Sequence, residues 1–294
     1  MTSIVASTTV LMGSAIALDA SPATLAAALG DAGWTWSSLA ATLVTVTCLG
    51  AQGIALVALH RRAGVQRGHW LRTLAFGAGL LALCTAVIGP LHAYGRYSLG
   101  AHMGQHMLLF AYAPLLLALA RPVALWRTAL QRGSTRAGAF APGWNGLGTA
   151  LVPATAVHSG LMWFWHHPAA ITSTLLDDRL QLLMHASFVL SGLWFWSALV
   201  TRLAAGREGL GTAMVALVAM MMQMGLLGAL LTFSSRVLYP VCSERAPLLG
   251  IEPLADQQLA GLIMWVPAGL PYLLGGLWLM QRWLSLPPGD RSPA

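Results

Sequence analysis

The sequence predicts an all-α membrane protein, a bundle of seven transmembrane helices with its N-terminus outside and its C-terminus in the cytoplasm. Three observations lead there. Hydrophobic residues make up 57% of the 294 and charged residues only 9%, where soluble domains carry roughly 25% charged. Seven apolar runs reach the roughly 20 residues that a spanning helix needs. All sixteen basic residues are arginines, and they gather between the runs, unevenly on the two sides.

The elements follow in order. Residues 1–33 contain an apolar stretch, Ile4–Leu18, that no arginine or lysine precedes. A secretory signal has a charged n-region, so this segment reads as outside or interfacial, with a cleaved signal as the alternative. The membrane domain covers 34–283, and 284–294 form a cytoplasmic tail. Its runs are Ser37–Leu59, Trp70–Pro90, His102–Ala120, Leu147–Trp165, Leu180–Val200, Gly211–Phe233 and Gln258–Gln281. Pro267 and Pro271 predict a kink in the last one.

Arginine placement orients the bundle. Arg61, Arg62, Arg67, Arg72, Arg121, Arg127, Arg132, Arg136, Arg202, Arg207, Arg282 and Arg291 share one side, leaving Arg96, Arg179, Arg236 and Arg245 on the other. The richer side is cytoplasmic by the positive-inside rule. This membrane role accounts for the basic charge without nucleic acid, and the lipid bilayer is the partner the composition demands.

Orientation then sorts the histidines. His60 and His69 are cytoplasmic. His92, His102, His106, His158, His166, His167 and His185 lie in the outer half. His102 and His106 are one helical turn apart and share a face, as do Met103 and Met107. His158, Met162 and His166 repeat the spacing on the fourth run, and His185 and Asp256 open the fifth and the seventh. Ionisable groups in a membrane are costly and usually face the bundle interior. Imidazole and thioether suit Cu(I), imidazole also suits Cu(II) and zinc, and a carboxylate can ligate or orient a ligand. The plain alternative for the pair is interfacial histidine. Met220–Met222 and Met224 read as packing.

Other chemistry finds no foothold. There is no GxSxG, HExxH or phosphate loop, and no CxxC. Cys48 and Cys84 read as packing residues within apolar runs, and Cys242 as an exposed loop residue.

Several motifs together resemble one family. AHMGQHMLLFAYAPLLLALARP (101–122), WHHP (165–168), HASFVLSGLWFW (185–196), LLGALLTFSSRVLYP (226–240) and LADQQLAGLIMWVPAGL (254–270) resemble, in this order, the CtaG family of cytochrome c oxidase assembly factors. The resemblance runs from about Trp34 to Trp283. It implies a non-enzymatic, seven-helix protein of the bacterial plasma (inner) membrane that aids formation of a haem–copper oxidase by delivering or inserting copper. Oxidase subunits and a periplasmic copper donor are the implied partners. By motif, His102, His106, His166, His185 and Asp256 become the metal set. His158, Met162, His167, Met103, Met107 and His92 stand second. One departure is Met184, where many members carry a glutamate. If that carboxylate buttresses the following histidine, Asp256 or Asp178 would have to replace it. Two other readings stay open on the residues alone: a haem-binding cytochrome with axial histidines from facing helices, and a transporter.

Overall fold

The computed structural model describes residues 67–88, 90–120, 150–203 and 206–286, with positions 47, 50–54 and 57. The N-terminal segment, most of the first expected span, His60, the arginines at 61, 62, 121–136 and 291, and the last residues of the tail lie outside these. The described elements are α1 (Arg67–Val87), α2 (Pro90–Tyr94), α3 (Leu99–Met107), a π-helical turn (Leu108–Tyr112), α4 (Ala113–Ala120), α5 (Leu151–Trp165), α6 (Pro168–Leu176), α7 (Asp178–Arg202), α8 (Gly206–Thr232), α9 (Pro240–Arg245), a 3₁₀ turn (Ala246–Leu249) and α10 (Pro253–Ser285). Among the described residues there is no strand.

Among the described residues, five helical stretches are long and apolar enough to cross a membrane: Trp70–Val87, Leu99–Ala120, Asp178–Arg202, Arg207–Thr232 and Pro253–Ser285. The chain is thus a multi-pass membrane protein. The fourth expected run yields α5, 15 residues long. At 1.5 Å per residue that is roughly 22 Å, short of a hydrocarbon core of about 30 Å. Positions 147–149 of that run lie outside the described residues.

The third expected span sits at the centre. Together α3, the π turn and α4 touch α1, α7 and α10, while the most extensive helix pair is α8 with α10. Small residues set these approaches, as is usual where lipid gives no hydrophobic drive between helices. A Cβ on Gly228 would come within 2.8 Å of the Gly261 carbonyl across the α8–α10 crossing. One on Gly192 of α7 would meet the Pro114 ring at 2.7 Å and the Phe110 carbonyl at 2.9 Å.

Prolines leave backbone carbonyls that the bilayer cannot satisfy. Pro271 has no N–H for the Pro267 carbonyl, and the Tyr112 hydroxyl donates to that oxygen instead at 2.7 Å. The α10 helix continues through both Pro267 and Pro271. Pro114 likewise cannot serve Phe110, and the chain just before it widens into the π turn, where the Ala113 N–H reaches Leu108.

The two bundle ends differ. At one, Arg207 donates to the Trp283 and Leu286 carbonyls (2.8 and 2.6 Å) and lies 4.0 Å from the Trp283 ring centre. It thereby caps the C-terminus of α10. At the other, Arg96 pairs with Asp178 at 2.5 Å, and Arg245 donates to the Arg96 carbonyl at 3.1 Å. Gln257 accepts from the Leu238 N–H (2.6 Å) and donates to the Arg236 carbonyl (3.1 Å), strapping the chain after α8 onto α10. Cys242, expected on an exposed loop, is buried here because α9 folds back over the bundle end. Burial first, and Asp256 second, push its thiol up to about 12 despite Arg245. It stays protonated and is a poor metal ligand.

Candidate metal centre

The site is built on the first turns of α3. Ser98 is the N-cap, its hydroxyl accepting from the Ala101 N–H at 3.1 Å. Asp256, from the first turn of α10, covers the same helix end. Its Oδ1 accepts from the Ser98 hydroxyl (2.6 Å) and the Gly100 N–H (3.1 Å), and its Oδ2 accepts from the Leu99 N–H (2.6 Å). A carboxylate is well placed there, since a helix N-terminus offers free N–H groups and a positive dipole end. Both Asp256 oxygens are therefore engaged in fixing α3.

One turn further on lie the histidines. His102 and His106 have ring centres 4.3 Å apart, and His106 and His166 5.1 Å. His106 Nδ1 is 3.3 Å from His166 Nε2, and His166 Nδ1 is 2.6 Å from the Met162 carbonyl. Only a protonated Nδ1 can bond a carbonyl, so His166 presents its Nε2 lone pair to His106. His106 then donates through Nδ1 and keeps a lone pair on Nε2. A backbone carbonyl behind an imidazole is how ligating histidines are commonly oriented. Tyr239 holds the same corner by donating to the His166 carbonyl at 2.8 Å.

His185, on α7, faces His92 on α2 with ring centres 6.1 Å apart. Gln105 ties this side together, its amide nitrogen lying 2.6 Å from the Ala86 carbonyl and 2.9 Å from His92 Nδ1. Burial, then the Arg96 guanidinium, hold His92 below its ordinary value, against the pull of Asp178. Neither Asp178, paired to Arg96, nor Asp256, engaged on α3, hydrogen-bonds His185 in place of the carboxylate that Met184 lacks.

Both nitrogens of His102, Nε2 of His106 and Nε2 of His185 are buried without a hydrogen-bond partner, as is the Gln105 carbonyl oxygen. Leaving one such group unmet costs about 1–3 kcal/mol. So dense a set in one place is a reason to look for a ligand.

The remaining candidates separate. Met103, Met107 and Met162 line a small cavity beside His106 and His166. His167 is exposed and precedes α6. His158 lies apart: its ring nitrogens meet the Ser191 hydroxyl (3.0 Å) and the Tyr272 hydroxyl (3.3 Å), and its ring stacks on Phe110 at 3.6 Å. Among the described residues, no three His, Cys, Asp or Glu side chains form a complete metal-ligand group. Nitrogen and carboxylate alone do not finish a site here.

Sequence reasoning passed over Gln105, Ser98 and Phe188. Phe188 is fully buried and packs edge-on against His106 at 4.9 Å. Gln105 carried a signal, since an amide inside an apolar run needs partners. Ser98 and Phe188 carried none apart from the fold.

A family model described as cytochrome c oxidase caa3 assembly factor (Caa3_CtaG) matches residues 53–285. Neither the curated proteins nor the solved structures provide a match.

Proposed function

The chain belongs to the cytochrome c oxidase caa3 assembly factor family, and we propose that it serves oxidase formation by holding copper, as Cu(I), at the histidine end of the bundle. One observation carries this: four imidazole nitrogens, on His102, His106 and His185, are buried there with no partner. Neutral imidazoles with free lone pairs are ligands in waiting, and Cu(I) accepts both nitrogen and thioether sulfur. In this reading copper is cargo. His106 holds it through its free Nε2, His102, His185 and His92 lie beside it, His166 orients the His106 ring, and Asp256 fixes the helix that presents His102 and His106. The protein acts by binding, with no reaction of its own. The histidine end faces outward from the bacterial plasma membrane, toward a periplasmic copper donor and the copper-receiving oxidase subunit. A seven-span topology with an outside N-terminus goes with this orientation.

The haem reading gains no support from the geometry. The space beside His106 and His166 is about 10 Å³, on the order of one water. His158 already spends both nitrogens on Ser191 and Tyr272.

The test is a deletion strain complemented with wild type or with His102→Ala/His106→Ala. The variant should insert at normal abundance, because the run Met107–Ala120 remains apolar and alanine favours helix. Copper in the purified variant and oxidase activity in the host should both fall, with oxidase transcripts unchanged. Normal abundance with unchanged copper and full oxidase activity would refute the metal role. Reduced oxidase with unchanged copper would leave a scaffold that positions subunits.

A further inference from the structure

The cavity beside His106 and His166 answers the question the incomplete nitrogen set leaves open. Its other walls include Met103 from α3, Met162 from α5, Met224 from α8 and Met264 from α10. All four thioethers are buried, none more than 3% exposed. Four helices thus each bring a sulfur-bearing side chain to one void of about 10 Å³. The chain also has methionine where nothing is enclosed, as at Met222, 66% exposed. Methionine fills irregular cores without further purpose, and packing alone would account for the sulfurs. It does not account for two imidazoles on the same wall, one with an unpartnered Nε2.

We propose that this cavity is a mixed imidazole–thioether seat for a soft monovalent cation, in which Met224 and Met264 join Met103, Met162 and His106 as ligands while His166 orients the His106 ring. The inference rests on the copper reading and sharpens it. Thioethers are neutral and polarisable. They favour Cu(I) over Cu(II) and zinc, which take imidazole readily but thioether poorly. A neutral ligand set also leaves only a single net charge on the loaded site, where a divalent ion would leave two, and buried charge is costly in a low-dielectric bundle.

The experiment uses the full chain purified in detergent. Cu(I) and Ag(I) affinities are measured by competition with a chromogenic chelator, Zn(II) by titration, and copper ligation by X-ray absorption. The variants are Met224→Leu/Met264→Leu, close in volume to wild type, and Met222→Leu as control. Wild type should show sulfur scattering around copper. Because partners one shell removed from a metal are worth about 10–100-fold in affinity, the double variant should lose at least about tenfold for Cu(I) and Ag(I). Zn(II) affinity and the control should not change. A wild type that binds Cu(I) through nitrogen alone, or a folded double variant of undiminished Cu(I) affinity, overturns the seat and leaves copper binding standing. A wild type that binds no Cu(I) overturns both. Should the double variant misfold, the sulfur scattering of the wild type decides alone.

Discussion

His106 and His158 are both buried imidazoles in the same bundle, yet they have opposite surroundings. His158 is 0% exposed with both nitrogens hydrogen-bonded and its ring stacked on Phe110. His106 is 3% exposed, spends one nitrogen on another histidine and leaves the other with nothing. Burial does not tell a structural histidine from a ligand. The fate of each ring nitrogen separates them: one histidine is finished by the protein, and the other keeps the free nitrogen that the proposed copper site calls on.

Four substitutions would break or sharpen that contrast. The largest effect should come from His158→Ala, which removes a stacked ring and strands the Tyr272 hydroxyl. A loss of about 2–4 kcal/mol is expected, read by unfolding in detergent, with Cu(I) affinity unchanged. A copper loss matching that of His106 would erase the distinction. His106→Ala should do the reverse. Unfolding should move less than for His158→Ala, because the ring removed had one nitrogen unmet, while Cu(I) affinity falls about tenfold or more, equivalent to about 1.4 kcal/mol. Asp256→Asn is a finer probe. Loss of the charge at the α3 N-terminus should cost about 1 kcal/mol of stability, with only a small fall in Cu(I) affinity. A drop as large as that of His106→Ala would make Asp256 a ligand. The smallest change is Tyr112→Phe, which strands the Pro267 carbonyl. About 0.6 kcal/mol is the usual worth of a hydrogen bond between membrane helices, and copper binding should stay as it was.

Much of this was legible in the chain. Apolar runs of membrane length announce helices whatever their packing, and the i, i+4 spacing of His102 and His106 survives folding because both lie on one regular helix. The stripe His158–Met162–His166 survives only in part. Eight residues along a helix rotate the side chain by about 80° and rise about 12 Å. His158 therefore turns toward Ser191 and Tyr272, while Met162 and His166 reach the cavity. The role of Asp256 was out of reach, since its partner Ser98 lies 158 residues away. Met224, which reads as packing, and Met264, which follows Asp256 on the last span, had no ligand role for a different reason. In a chain with thirteen methionines, only the fold shows which sulfurs share a void. The π turn Leu108–Tyr112 left no trace beyond the proline that follows it.

The carboxylate of Asp256 also sets a clock. The helix that carries His102 and His106 emerges from the ribosome well before α10, and until then its first N–H groups lack their anion. At about 5–20 residues per second, the 158 residues between Ser98 and Asp256 take roughly 8–30 s to synthesise. Met264 follows a turn or two later on the same helix. On the copper reading, a nascent or truncated chain has histidines but no finished binding place, and the order of the sequence itself guards against premature loading during biogenesis.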